Sequence, residues 1–368
     1  MTTADPATTP SVTTQARLRG LHPGWFAAVM GTAILAVATY DNPGNFSALL
    51  SIAHAAGVVI AAIAYALAAV LIVAYLARWL QHTDAAVADL QHPVMGAVYG
   101  TVPGGLLVLA VMTSVIGPSV LPGLIVTAIV AVLAVVGGLL AVAVSVTFAY
   151  VLFTGQAQVA MVNGGWFIPP VVTIIIPMAL VPLMTHVDAG TSRLFLMLGY
   201  ALYGTGFMLF LLVMSMLHDR LVLHPLPGAP MAPSLWIGLG PVGVGALALL
   251  SLAHAGAAVF GSSASAVTIV SRLAATALWG FGVWWLAAAI ALLVRYLRAG
   301  TLPYSLGWWA FTFPLGAFTV ATLTLGRAWD TSVIEWFGVL LYVGLVTFWV
   351  LVSAGTVRGL RSGLVWQR

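Results

Sequence analysis

The sequence predicts an all-α polytopic membrane protein with ten transmembrane helices. Composition points to it first: 62% of the 368 residues are hydrophobic and only 5% are charged, whereas about a quarter of the residues of a soluble domain are charged. The second observation is that the apolar runs are long, since a membrane-spanning helix takes roughly 20 residues. A soluble globular protein is therefore excluded, and almost no chain is left for a soluble domain.

Ten apolar runs, bounded by glycine, proline and charged residues, follow one another along the chain. They lie near residues 23–40, 47–77, 93–116, 121–153, 166–186, 194–217, 234–260, 273–297, 303–326 and 333–357. The polar, threonine-rich residues 1–20 are expected to be a disordered tail, residues 21–357 the ten-helix transmembrane domain, and residues 358–368 a short C-terminal tail.

The chain repeats itself five times. Segments that open with proline or glycine beside bulky residues recur at Pro23, Pro93, Gly165, Pro233 and Pro303, in steps of 70, 72, 68 and 70 residues. The first run resembles a signal peptide, because it ends in the small residues of an Ala-Val-Ala sequence. It is in phase with the other four repeats, so we interpret it as the first helix of five helical hairpins.

The two helices of each repeat differ in kind. Interruptions are expected within the odd-numbered helices at Gly31, Pro103, Pro177, Gly240, Pro241 and Pro314, and the even-numbered helices carry no proline past their first turns. Proline removes a backbone hydrogen bond, and in lipid the freed groups need partners inside the protein or in a water-filled cavity. The pattern predicts broken inner helices enclosed by straight outer ones, although glycine and proline are common in membrane helices generally.

The arginines predict the orientation. Ten spans place both termini on one side of the membrane, and with both termini in the cytoplasm only Arg193, Arg272 and Arg327 lie outside, against nine arginines inside. Every odd helix then begins at the cytoplasm. Five helix N-termini, each with unpaired N–H groups and about half a positive charge, would share one mouth and attract anions there.

Several chemistries lack residues to support them. With no cysteine, no metalloprotease or phosphate-binding motif and scattered basic residues, we expect no catalytic residue, no metal, no cofactor and no nucleic-acid partner. No charged residue falls near the centre of a span, where proton-coupled carriers usually place one. His54 and His254, in similar Ala-His-Ala settings, are either a pH-sensitive pair near the outer side or ordinary interfacial histidines.

Four segments in register resemble one known family. They are HPGWFAAVMGT from His22, NGGWFIPP from Asn163, LWIGLGPVG from Leu235 and WWAFTFPLG from Trp308. The chain looks like a member of the tellurite-resistance/dicarboxylate transporter family, which includes plant slow anion channels, yeast malate permeases and fungal sulfite exporters. The resemblance implies five hairpins in a quasi-fivefold arrangement around a central pore, usually in a homotrimer in the cell membrane with one pore per subunit.

The same resemblance implies a gate. Channel members close the pore with a phenylalanine of the ninth helix beside its kink, a position that Phe313 occupies here, although packing is the commoner role of a buried phenylalanine. Thr32, Thr101, Thr173 and Thr312 lie near the predicted interruptions of the inner helices. Their hydroxyls either donate to an anion in the pore or bond back to their own helices.

The function that follows is an anion channel or uniporter that exports C4-dicarboxylates such as malate, sulfite or inorganic anions down the electrochemical gradient. Tellurite resistance would be a side effect of altered anion flow. The alternative is a proton-coupled C4-dicarboxylate or sulfite carrier of the same fold, against which the missing central carboxylate counts. A membrane sensor or scaffold would need a large soluble region, for which the two short tails leave no room.

Overall fold

A computed structural model describes residues 14–155, 157–300 and 302–366. Within these ranges the chain is helical, and it contains ten helices that are long and apolar enough to cross a membrane. The prediction of an all-α polytopic membrane protein is confirmed. The predicted disorder of residues 1–13 and the predicted tail at residues 367 and 368 lie outside the described residues.

The spanning helices are numbered here in chain order. They are α1 (Phe26–Tyr40), α2 (Leu50–Gln81), α3 (Thr101–Ile116), α4 (Gly123–Thr154), α5 (Ile168–Leu180), α6 (Ala189–Leu223), α7 (Leu239–Ala255), α8 (Ala264–Arg298), α9 (Phe313–Ala328) and α10 (Ser332–Ser362). The odd-numbered helices have 13 to 17 residues and the even-numbered ones 31 to 35.

The odd helices form an inner ring and the even helices an outer one. In the apolar stretches of the odd spans, 78% to 89% of the residues are buried, against 22% to 33% in the even spans. Each odd helix packs against the even helix that follows it and against the next odd helix, and α9 packs against α1, which closes the ring. The five hairpins and two rings are thus present, while quasi-fivefold symmetry stays a prediction.

The interruptions lie where the inner helices begin rather than in mid-span. Four inner helices are preceded by tightly wound 3-10 segments, at Pro23–Trp25, Gly164–Phe167, Ala229–Gly238 and Leu306–Phe311, and α3 is preceded by the short helix Met95–Val98. Pro103, Pro241 and Pro314 each fall within the first three residues of an α-helix. There the missing N–H has no carbonyl to bond in any case, so proline starts these helices and does not break them.

The two remaining expected interruptions, at Gly31 and Pro177, also differ from the structure. Helix α1 runs unbroken through Gly31, so the predicted break there is wrong. Glycine keeps its N–H and the hydrogen-bond ladder continues through it. Pro177 lies inside α5, three residues before the helix ends at Leu180, and the chain continues as a 3-10 segment.

Both ends of the domain extend further than the sequence indicated. Residues Thr14–Arg19, within the segment expected to be disordered, form a short helix. Helix α10 continues to Ser362, past the boundary expected at residue 357, and ends at Gly363, whose φ of 76° suits glycine. The following turn brings Trp366 against Trp25, with ring centroids 6.0 Å apart.

A buried arginine ties these elements together on the side of the ring where the inner helices begin, which we call the N-terminal face. The Arg78 side chain at the end of α2 is fully buried. Its guanidinium donates to the Asp89 carboxylate at 2.6 Å, the Tyr99 hydroxyl at 3.0 Å and the Arg19 carbonyl at 3.1 Å. Arg19 itself forms an exposed ion pair with Asp84.

The opposite face carries the ion pairs that join the first hairpin to the last. Arg327 at the end of α9 donates to the Asp41 carboxylate at 2.7 Å and lies 3.5 Å from the Glu335 carboxylate, which accepts from Asn45 at 2.7 Å. Burial raises the pKa of the Asp41 carboxyl, and the Arg327 guanidinium opposes that rise. This cluster closes the ring at the ends of α1 and α9.

Candidate functional site

A cavity of about 500 Å³ opens at the N-terminal face of the inner ring. We call it the central cavity, because all five hairpins line it. On several inner helices the lining residues are three apart, as Ala27 and Met30 or Ile168 and Val171 are, and so share one helix face. The lining residues furthest along the first half of each hairpin are Met30, Thr101, Val171, Ile237, Phe313 and Pro314, of which Ile237 lies in the 3-10 segment before α7.

Phe313 is the first residue of α9 and lines the central cavity with only 5% of its surface exposed. A β-carbon placed on Gly240 of α7 would lie 3.8 Å from its ring and 3.4 Å from the Val171 side chain. The glycine therefore leaves open space between α5 and α9 beside the ring. The structure brings together Phe313, Gly240 and Pro314.

Phe311, two residues earlier, has a different environment. Its ring stacks on Phe348 of α10 at 4.9 Å between centroids and meets the Trp236 ring edge-on at 5.3 Å. It is 1% exposed and belongs to the packing between the inner and outer rings. Only Phe313 of these two phenylalanines lines the cavity.

Side chains cap the inner helices at the mouth of the cavity. The Nδ1 atom of His22 accepts from the Gly24 N–H at 2.9 Å, and the Asn163 side chain accepts from the Gly165 N–H at 2.7 Å. The Ser234 hydroxyl accepts from the Gly164 N–H at 3.1 Å and so links the third and fourth hairpins. A ring nitrogen that accepts carries no proton, so His22 acts as a neutral cap in this geometry.

Among the described residues, none that lines the cavity carries a carboxylate or a guanidinium. Its polar lining residues are His22, Thr101, Asn163, Ser234, Ser305 and the tyrosine Tyr304. The positive end of each inner helix faces the same mouth, because all five helices begin there. A positive electrostatic potential at this mouth therefore arises from the backbone dipoles of the inner helices.

Of the four predicted threonines, only Thr101 lines the central cavity. Its hydroxyl is directed at the Pro23 and Val98 carbonyl oxygens, each 2.8 Å away, so it ties the first hairpin to the second. Thr32 is fully buried, and its hydroxyl accepts from the Trp349 indole N–H of the outer helix α10 at 3.0 Å. It therefore faces the outer ring.

The other two threonines bond back to their own segments. The Thr173 hydroxyl donates to the Pro169 carbonyl at 2.9 Å, and the Thr312 hydroxyl donates to the Trp309 carbonyl at 2.8 Å. Both side chains are buried. The single hydroxyl hydrogen of each is already used, so neither threonine offers a donor to an anion in this conformation.

The remaining predicted site residues take up packing positions. Pro103, Pro177 and Pro241 are buried within the inner helices and are not among the residues that line the cavity. Gly31 faces Thr312 and Trp309, in the segment that leads into α9, where the first and last hairpins meet.

His54 and His254 do not share one environment. His54 lies in the first turns of the outer helix α2 and stacks on Tyr40 with ring centroids 4.2 Å apart. His254 lies in the last turn of the inner helix α7 and is exposed. Both lie toward the face opposite the central cavity, and neither lines that cavity.

Sequence comparison now decides the family. The model of the SLAC1 family, described as voltage-dependent anion channel, matches residues 20–357.

The chain belongs to the SLAC1 family.

Two relatives of this SLAC1 family member match most of its length, and a third matches less than half of it. An uncharacterized transporter of Methanocaldococcus jannaschii is 33% identical over 353 residues, which make up 95% of this chain and 96% of the relative. A sulfite efflux pump of Trichophyton rubrum is 26% identical over 92% of this chain and 91% of its own. A malic acid transport protein of Schizosaccharomyces pombe is 26% identical over 44% of this chain and 38% of its own. The resemblance to anion transporters is confirmed.

Three residues of this SLAC1 family member that line the inner end of the cavity are not predicted from its sequence. Met30, Val171 and Ile237 line the cavity at the level of Phe313, yet nothing in the sequence distinguishes them. The inner helices are apolar on every face, so hydrophobic periodicity carries no signal for the side that faces the cavity. Met30, Val171 and Phe313 each lie seven residues, about two helical turns, after the first residue of the 3-10 segment that precedes them, namely Pro23, Gly164 and Leu306. This common spacing is the sequence signal that these residues share.

Proposed function

We propose that this protein is an anion channel or uniporter-type permease that exports small anions down their electrochemical gradient, through a pore that Phe313 gates. One observation carries the proposal: all five hairpins line the central cavity, the described residues of its lining include no carboxylate or guanidinium, and the nearly buried Phe313 ring is part of that lining. The family supports transport of anions.

The uncharged lining suits passage better than tight binding. Conduction requires an ion to bind well enough to enter and weakly enough to leave. Five helix N-termini attract an anion to the mouth, and the part of the lining that the structure describes has no arginine or lysine that would hold it. No coupling ion is needed, because an inside-negative membrane potential favours efflux of a monovalent anion by about 2.3 kcal/mol per 100 mV.

The gate follows from the position of one ring. An aromatic side chain in a narrow apolar passage blocks it by bulk and by excluding water, and displacement of the ring restores a hydrated path. Gly240 presents only backbone beside the Phe313 ring, so no side chain at that position of α7 stands in the way of the ring. The gate role is therefore assigned to Phe313.

The relatives suggest the substrates. One is called a sulfite efflux pump and another a malic acid transport protein. Sulfite, C4-dicarboxylates such as malate, and inorganic anions are the candidates for this protein. We further propose that it resides in the cell membrane with both termini in the cytoplasm, as its arginine distribution favours, and that it assembles as a homotrimer.

Anion flux into proteoliposomes tests the proposal. Purified wild type, Phe313→Ala and the control Phe153→Ala would be compared for malate, succinate, sulfite, chloride and nitrate. Phe153 is 85% exposed on the outer helix α4, so its loss should leave flux unchanged. We expect a several-fold rise only in Phe313→Ala. Absence of flux for every anion would refute transport, and equal flux in all three proteins would refute the gate.

A proton-coupled carrier is the second candidate, since a relative named as an efflux pump favours it. Its signature is saturable uptake that follows an imposed pH gradient at zero membrane potential. If His54 or His254 carried the proton, His54→Gln or His254→Gln would abolish that dependence. Uptake that depends on the membrane potential alone would favour the channel over the proton-coupled carrier.

A further inference from the structure

Met30 and Gly104 meet where two neighbouring inner helices pack. Met30 belongs to α1, lines the central cavity and is 3% exposed, while Gly104 lies in the first turn of α3. A β-carbon on Gly104 would fall 2.8 Å from the Met30 methyl carbon and 2.9 Å from its sulfur. The end of the methionine side chain therefore occupies the notch that the glycine leaves.

The notch is confined on its other side. The same β-carbon would fall 2.9 Å from a γ-methyl of Val172 in α5. Valine is branched at its β-carbon and has one strongly preferred rotamer in a helix, whereas methionine has three rotatable bonds and adapts easily. Any side chain at position 104 would thus displace Met30, and the space that Met30 already borders is the central cavity.

We infer that Gly104 is a seat for the Met30 thioether, and that this seat sets the free width of the central cavity at the level of Phe313. Met30 is then a size-determining residue for anion passage, and Gly104 is a positioning residue that acts through it. The inference rests on the proposed function, because it concerns the same pathway. An apolar side chain that projects further into the cavity hinders a large, strongly hydrated dicarboxylate more than chloride.

Flux in a background with the gate removed tests the inference. In the Phe313→Ala protein, Gly104→Ala should lower malate flux several-fold and chloride flux less, and Met30→Ala should raise malate flux. Met30→Ala combined with Gly104→Ala should restore malate flux to the level of Met30→Ala alone, which a merely structural defect at position 104 would not do. Gly138→Ala is the control, since its new β-carbon would make an ordinary 3.5 Å contact with Ile176.

A second measurement is independent of transport. Hydrogen peroxide oxidises exposed methionine to the sulfoxide. Peptide mass spectrometry should show faster oxidation of Met30 in Gly104→Ala than in wild type or Gly138→Ala, because the sulfur has moved into the water-accessible cavity. An unchanged rate of Met30 oxidation in Gly104→Ala would overturn the inference that Gly104 seats the Met30 thioether. An unchanged malate-to-chloride ratio in Gly104→Ala and Met30→Ala, in a protein that still conducts, would overturn the size-determining role. Absence of flux in the Phe313→Ala background would instead refute the proposed function.

Discussion

Gly31 of α1 lies so close to Thr312, the residue before α9, that a β-carbon on the glycine would fall 2.0 Å from the threonine hydroxyl oxygen. No real β-carbon tolerates such a distance, so the first and last inner helices meet here only because residue 31 is glycine. Small residues that let helix backbones approach closely are typical of membrane helix packing.

Gly31→Ala should therefore destabilise the protein, by about 1–3 kcal/mol as overpacking in a core typically does. The measurement is the thermal unfolding temperature in detergent. Thr312→Ala removes the nearest atom and should recover part of the loss when combined with Gly31→Ala. Gly204→Ala is the control: its β-carbon would meet nothing within 4 Å, so this change should be neutral or stabilising. Equal unfolding temperatures for Gly31→Ala and Gly204→Ala would contradict the close contact between Gly31 and Thr312.

A second prediction concerns the buried arginine at the N-terminal face. Arg78→Met removes the cation that faces Asp89 and Tyr99, and breaking a buried pair typically costs about 3–5 kcal/mol. Arg19→Ala removes an exposed ion pair with Asp84 and should cost at most about 1 kcal/mol. Thermal unfolding of both variants tests the contrast. A loss of stability in Arg19→Ala as large as that in Arg78→Met would show that burial of the arginine does not determine how much its ion pair contributes.

The threonines give a third prediction. Thr173→Val and Thr312→Val remove hydroxyls that donate to backbone carbonyls, so the relative fluxes of malate, sulfite and chloride should not change. Thr101→Val should change absolute flux, because Thr101 lines the cavity and links two hairpins. A shift in anion preference in Thr173→Val would mean that its hydroxyl leaves the helix to bind the anion.

A fourth prediction concerns orientation, and the lack of cysteine in the chain makes it simple to test. Ser262 lies in an exposed connection on the face opposite the central cavity, and Arg361 is exposed near the end of α10. The two test variants are Ser262→Cys and Arg361→Cys. A membrane-impermeant thiol reagent should label residue 262 in intact cells and residue 361 only after permeabilisation. The reverse pattern would place the central cavity outside the cell.

Much of the architecture can be predicted from the sequence because the bilayer restricts the alternatives. Span length, repeat spacing and the separation of proline-rich from proline-poor helices are enough to predict ten spans in two rings. The site is harder to predict. Gly31, where the sequence suggests a break, packs against the segment before α9, and the adjacent Thr32 faces the outer ring. Uniformly apolar inner helices do not reveal which face is turned to the cavity.

The contacts of Arg327 with Asp41 and Glu335 also bear on how the chain folds as it is synthesised. Asp41 pairs with a residue 286 positions later, and Thr32 accepts from Trp349, which lies 317 positions later. The first hairpin therefore enters the membrane long before its partners leave the ribosome. The fold is sealed only when the fifth hairpin arrives, and contacts so distant in sequence form late and slowly. Nascent chains that stop short of the fifth hairpin would leave α1 exposed along one side, as ready substrates for membrane quality control.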